Sequence, residues 1–236
     1  MKKRTRWWRW VALAPLLGIG MPAEAASRGF TITSFDAIRV DASVEVIVTT
    51  GAGASARVEG DQALIDRLKV DVSGRLLVVT MERARPGEKA GGRAVLRLST
   101  GTLGRVVLTG GGSVSVSRMK GQRGDIVLGG NGDVSVAAVD VDQLNLGVAG
   151  AGRATLAGRV GVATVRVNGP GAVAAEGLRA RQAAVANDGP GNVALTAEVT
   201  AKVTASGSGD VTIVGKAACQ VENRGTGRIS CGGEAY

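Results

Sequence analysis

A Gly-x-Gly motif recurs seven times at near-regular intervals from residue 110 onward, at Gly110/Gly112, Gly130/Gly132, Gly150/Gly152, Gly169/Gly171, Gly189/Gly191, Gly207/Gly209 and Gly225/Gly227. The second glycines lie 20, 20, 19, 20, 18 and 18 residues apart. Six residues before each stands an aliphatic side chain (Val106, Ile126, Leu146, Val165, Val185, Val203, Val221), and two residues after it stands another (Val114, Val134, Ala154, Val173, Val193, Val211, Ile229). Two positions further on a third apolar column appears: Val116, Val136, Leu156, Ala175, Leu195, Ile213 and Cys231. Apolar spacing of two on both sides of a glycine turn is the strand period, not the helical one. A unit this short cannot bury its apolar face alone, so the copies must stack. The expected fold is all-β, a right-handed parallel β-helix (solenoid) with about 20 residues per coil. Stacking at ~4.8 Å makes seven coils about 34 Å long.

The glycines read as corner residues that tolerate positive φ, with Pro170 and Pro190 stiffening two of the corners. A leucine-rich repeat would need a helical period and a Leu/Asn frame. A calcium-binding nonapeptide roll would need a spacing that Gly129-Gly130-Asn131-Gly132-Asp133 lacks. A β-sandwich is the remaining alternative, and the regular coil length argues against it.

Residues 26–100 form a less regular N-terminal β portion, read as continuous with the seven-repeat β-helix of residues 101–236. Phe35-x-x-Ile38-x-Val40 followed by Val44-x-Val46 looks like Leu103-x-x-Val106-x-Leu108 followed by Val114-x-Val116 with a shorter turn, and so reads as an early coil. Residues 75–81 and 94–98 read as strands, Asp61 as the cap of a short helix carrying Leu64, Ile65 and Leu68, and residues 83–92 as an exposed loop. Such a portion would cover the open end of a solenoid.

Residues 1–25 read as a secretory signal: Lys2, Lys3, Arg4, Arg6 and Arg9, then an apolar run to Met21, then a small-residue cleavage site ending at Ala25. The run is too short for a typical membrane span, and the mature chain is expected to carry no transmembrane segment. Removing these residues lowers the formal charge from +9 to +5, which takes most of the support from nucleic acid as a partner. The expected destination is the periplasm, with the cell surface or extracellular space as the alternative. In an oxidising compartment Cys219 and Cys231 are expected to form a disulfide.

The chain has no histidine, which removes the Ser-His-Asp triad and zinc sites that need imidazole. All three tryptophans fall in the first ten residues, and only Phe30, Phe35 and Tyr236 remain beyond residue 25 to offer an aromatic platform. The position after each repeat glycine holds Ser113, Asp133, Arg153, Ala172, Asn192, Asp210 and Arg228. Asp133, Arg153, Asn192, Asp210 and Arg228 are the candidate surface-binding residues of this column, suited to an envelope polysaccharide or a surface protein. Asp133 and Asp210 stand four coil steps apart, about 19 Å, too far to act as one acid/base pair. No catalytic residue, metal or cofactor is assigned. Inward Asn187 and Asn223 are expected to satisfy corner backbone groups.

Phe35-Asp36-Ala37-Ile38-Arg39-Val40 with Val44-Glu45-Val46-Ile47-Val48, then Val58-Glu59-Gly60-Asp61, Val70-Asp71-Val72 and Leu76-Leu77-Val78-Val79 form an ordered series of short motifs. With the Gly-x-Gly-Asp-Val repeats at Gly130 to Val134 and Gly207 to Val211, the series resembles the autotransporter-adhesin head GIN domain family over about residues 30–230. The resemblance implies an exported bacterial β-helical domain with an adhesive role and supplies no catalytic residues. The function read from the sequence is an exported, non-enzymatic, adhesin-like or envelope-associated binding module. A solenoid polysaccharide lyase or hydrolase is the first alternative, and a self-associating structural protein, a homo-oligomer, the second.

Overall fold

The computed structural model describes residues 26–84 and 92–236. The signal-like segment and most of the expected loop at 83–92 lie outside them. The first part of the chain runs β1 (Ala26–Phe30), β2 (Ala37–Asp41), β3 (Glu45–Thr50), β4 (Ser55–Gly60), α1 (Gln62–Arg67), β5 (Leu68–Ser73), β6 (Leu76–Met81) and β7 (Ala94–Thr100). The repeats follow as β8 (Arg105–Leu108), β9 (Ser113–Val116), β10 (Met119–Leu128), β11 (Asp133–Val148), β12 (Arg153–Val167), β13 (Ala172–Asn187) and β14 (Val193–Ala205). The chain closes with β15 (Val211–Val214), β16 (Ala218–Asn223), β17 (Ile229–Cys231) and β18 (Glu234–Ala235).

These strands coil into a nearly all-β solenoid of about six turns with a repeat near 20 residues. One wall stacks β2, β8, the C-terminal parts of β10 to β14, and β16, all parallel. Its inward column runs Ile38, Val106, Ile126, Leu146, Val165, Val185, Val203 and Val221, as the repeat spacing requires. Across the glycine corner a second wall stacks β3, β9, the N-terminal parts of β11 to β14, β15 and β17, with Val46, Val114, Val134, Ala154, Val173, Val193, Val211 and Ile229 in register. A shorter third wall carries Met119, Val139, Val141, Val160 and Ala180 inward. Except for Val221 in the last coil, which is partly buried, these side chains are withdrawn from solvent. Each Val or Leu so buried contributes about 1.5–3 kcal/mol relative to exposure, and no single coil could collect that alone.

The corner glycines serve a purpose other than the one expected. None of them lies in the left-handed region, so they are not there to permit positive φ. They are there because the corners stack at close range. A Cβ on any of the fourteen would lie within 2.7 Å of a carbonyl oxygen of the coil before, nearer than non-bonded atoms can approach. At the start of the stack Ala42 and Val44 occupy the glycine places, beneath Gly110 and Gly112.

This also corrects the register of the early coil. Val46 and Val48, not Val44 and Val46, stand opposite Val114 and Val116, and the turn has the same length as in the later coils. The sequence comparison slipped because it aligned alternating valines without the glycines that mark the corner, and a shift of two preserves the alternation.

The N-terminal end is closed by a change of strand direction. β6 and β7 add parallel layers to the two walls, and β5 and β4 then pair antiparallel to them, with β1 antiparallel to β4. The helix α1 packs beside β1 and β4 and buries Ile65. Asp61 caps it as expected, its carboxylate accepting from Ala63 N–H at 2.9 Å. At the other end the Cys219–Cys231 disulfide ties β16 to β17 across the last coil, with Cα atoms 6.2 Å apart.

Candidate functional site

The polar column follows the second corner glycine along the start of the second wall. Asp133, Arg153, Asn192, Asp210 and Arg228 are all exposed there, yet three of them also serve the fold. An oxygen of Asp133 accepts the Arg153 amide at 3.1 Å, Asn192 accepts the Asp210 amide at 2.9 Å, and Asp210 accepts the Arg228 amide at 2.8 Å. Each side chain thus replaces a ladder hydrogen bond to the next coil. Asn187 and Asn223 act on the inside of the corners: Asn187 donates to the Gly191 and Gly209 carbonyls at 2.8 and 3.2 Å, and Asn223 to Gly227 at 3.1 Å. The column brings Asn192, Asp210 and Arg228 onto consecutive coils and Asp133 with Arg153 onto another adjacent pair. It leaves Asp133 and Asp210 four steps apart.

The first wall holds a second candidate that the repeat analysis did not single out. Its outward positions register as Arg105, Asp125, Asn145, Thr164, Ala184, Lys202 and Gln220, with Arg123, Gln143, Val162, Gln182, Thr200 and Ala218 alongside. In the earlier coils these groups satisfy one another. Arg105 lies 3.4 Å from Asp125, Asn145 donates to Asp125 at 2.9 Å, and Arg123 donates to Gln143 at 3.4 Å. In the later coils Gln182, Thr200, Lys202 and Gln220 have no hydrogen-bond or ion-pair partner among the described residues. They rim a hollow of about 430 Å³ whose floor carries the small outward side chains Val162, Ala184 and Ala218, while Ala183 and Ala201 of the same strands face the core. The shape comes from size contrast, small side chains standing between long ones on a flat ladder. A register shift where Ala180 and Gln182 meet Ala197 and Thr200 adds to it by leaving Val199 half exposed beside the hollow. The sequence signal was there, in the run of small outward residues after Asn145, but outward positions carry no periodic constraint that would have marked it.

Two other hollows differ chemically. One, of about 360 Å³ on the third wall, is lined by Asp140, Asp142, Arg159, Arg179, Arg181 and Glu198, so its charges balance. The other lies beside α1, and most of its polar groups are engaged in the fold. Asp61 caps the helix, Asp66 accepts from Gln62, Arg67 donates to the Glu82 carbonyl, and Lys69 lies 2.6 Å from the Glu82 carboxylate. The hydrogen bond and then the charge of Glu82 raise the pKa of Lys69. Among the described residues no group of three or more Cys, Asp or Glu could hold a metal ion, and no helix is long and apolar enough to cross a membrane.

The family model described as “Putative auto-transporter adhesin, head GIN domain” matches residues 34–217. A solved structure of a “putative adhesin” from Bacteroides fragilis NCTC 9343 is similar with a TM-score of 0.82 at 19% identity, covering 89% of this chain and 97% of that one. A “putative lipid binding protein” from Parabacteroides distasonis ATCC 8503 is similar at 0.69 and 21%, covering 88% and 96%. A “putative adhesin” from Parabacteroides merdae ATCC 43184 is similar at 0.63 and 18%, covering 88% and 96%. At these identities the likeness shows a shared fold. No curated protein matches the chain.

Proposed function

The chain belongs to the head GIN domain family of auto-transporter adhesins, and from that premise we propose that it is an exported, non-enzymatic binding module that engages an extended envelope partner through its outer walls. The observation that carries this reading is the arrangement of the outward side chains. The walls present the same few positions on coil after coil, and in the corner column Asp133, Asn192 and Asp210 each bond the amide of the next coil. Such a surface suits many weak contacts along a chain-like ligand better than concentrated chemistry at one point. The interior gives no room to a ligand between the walls, since its columns are filled by Val, Leu, Ile and Ala.

The test is a glycan array with residues 26–236, together with incubation of the same protein with a polysaccharide panel. Binding without release of reducing ends or unsaturated uronates is expected. Release that disappears when one acid or arginine is substituted, with folding intact, would establish the solenoid carbohydrate-active enzyme instead. Retention on phospholipid vesicles without glycan binding would move the reading towards the lipid ligand named for the Parabacteroides distasonis structure.

A further inference from the structure

We propose that the hollow on the first wall binds a short segment of an acidic polysaccharide, with the carboxylate of a uronic-acid unit placed on Lys202. The proposal rests on the reading of the protein as a glycan-binding module and adds to it a site and a ligand class. The chemistry of the rim and floor is what selects them. Gln182 and Gln220 each offer an amide donor and an amide acceptor, and Thr200 a hydroxyl, all without a partner among the described residues. Such groups match the alternating donors and acceptors of sugar hydroxyls. On the floor the outward Val162, Ala184 and Ala218 offer low apolar relief against which the C–H faces of a pyranose can lie.

The charge favours an acidic sugar over a neutral one. Lys202 stands between Ala184 and Gln220 in its ladder and makes no ion pair among the described residues. The acid in the neighbouring outward column, Glu222, is already held by Arg224. A cation left uncompensated in the middle of a neutral amide and hydroxyl rim calls for one anionic group per binding site, the charge pattern of a uronate-containing chain. The hollow runs along the solenoid axis over four adjacent strands, marked by Val162, Gln182, Thr200 and Ala218. That is about 14 Å at ~4.8 Å per step, long enough for a short run of pyranose rings. Its volume, about 430 Å³, falls within the usual range of ligand clefts of about 300–1,000 Å³. The first three coils of the same wall make the contrast: there Asp125 lies 3.4 Å from Arg105 and accepts from Asn145, and Gln143 accepts from Arg123 at 3.4 Å, so the long polar side chains turn towards one another.

The probe is tetragalacturonate, titrated into ¹⁵N-labelled residues 26–236 and followed by amide chemical shifts, beside the carboxyl-reduced galactose tetramer as a neutral control. The expected result is shift changes confined to residues around Gln182, Thr200, Lys202 and Gln220, with the neutral tetramer binding at least tenfold more weakly. Lys202→Glu should weaken the acidic tetramer at least tenfold, Gln182→Ala or Gln220→Ala threefold or more, and Arg118→Ser, at an exposed position between β9 and β10, not at all. Each exposed substitution is checked by its melting temperature, and Gln220→Ala keeps the test open should Lys202→Glu perturb the fold. Raising the salt concentration should weaken the acidic tetramer more than the neutral one. Binding of tetragalacturonate that Lys202→Glu leaves unchanged would overturn the site. If the array shows other glycans bound while tetragalacturonate leaves every shift in place, the ligand class is wrong and the binding-module reading stands. Silence on both would remove both.

Discussion

The two ends of the solenoid are closed in different ways. At the N-terminal end the walls turn into antiparallel layers, α1 packs beside β1 and β4 with Ile65 buried, and the large side chains Phe35 and Leu77 are buried in the same core. At the C-terminal end the last coil is thin: among the described residues β16 pairs only with β14, Val221 is only partly buried, and a disulfide with a two-residue strand does the holding. Closing a parallel stack by packing takes many residues and large side chains, and it abandons the repeat. Closing it covalently takes two cysteines and leaves the repeat in place. The middle coils need neither device, because each is covered by its neighbours on both sides.

Substitutions along the stack can break this comparison. The largest effect is expected in the middle, where Val193 is 1% exposed and stacked between Val173 and Val211. Val193→Asp buries a carboxylate without a partner and should cost more than about 4 kcal/mol, enough to unfold the chain. Urea unfolding that superposes on wild type would mean the inward register is wrong. At the packed end, Ile65→Ala should cost about 2–5 kcal/mol. Hydrogen exchange should then rise in β4 to β6 first, and a uniform rise along all coils would mean that the cap and the stack unfold as one unit. At the covalent end, Cys219→Ser with Cys231→Ser opens a loop of sequence separation 12 and should cost about 3 kcal/mol. The loss of protection should be confined to β16 and β17, and faster exchange around α1 would contradict separate closures. The smallest effect is expected in the exposed column. Asp210→Ala removes one acceptor from the Arg228 amide and should lower stability by about 1 kcal/mol or less. A drop comparable to that of the disulfide variant in thermal melts would show that the column holds the stack together more than its exposure implies.

The walls and the corner positions were legible because three apolar columns keep phase with the glycines, and all but one member of these columns proved to be buried. The cysteine pair was legible from the expectation of an oxidising compartment and from its place in the last repeat. The reason for the glycines was not. A corner glycine chosen for positive φ and one chosen for close stacking look identical in sequence, and only the carbonyl of the preceding coil distinguishes them. The early coil slipped by two positions because alternating valines read the same in either frame. The hollow on the first wall was missed because outward residues are free to vary.

Chain order alone was enough to establish a stacked β architecture, the inward face of every repeat and the position of its covalent end. Burial imposes a strict period of two on strands, and a strict period can be read from one sequence. The tertiary structure was needed to decide which outward groups are consumed by the fold and which stand free. Asp210 and Lys202 are both exposed polar residues on strand-bearing coils, and neither differs in pattern from its neighbours. One bonds the amide of the next coil and the other meets no partner among the described residues. That difference depends on side chains about 18 to 20 residues apart being brought to the spacing of a β-ladder, a distance that coil length and corner geometry set jointly.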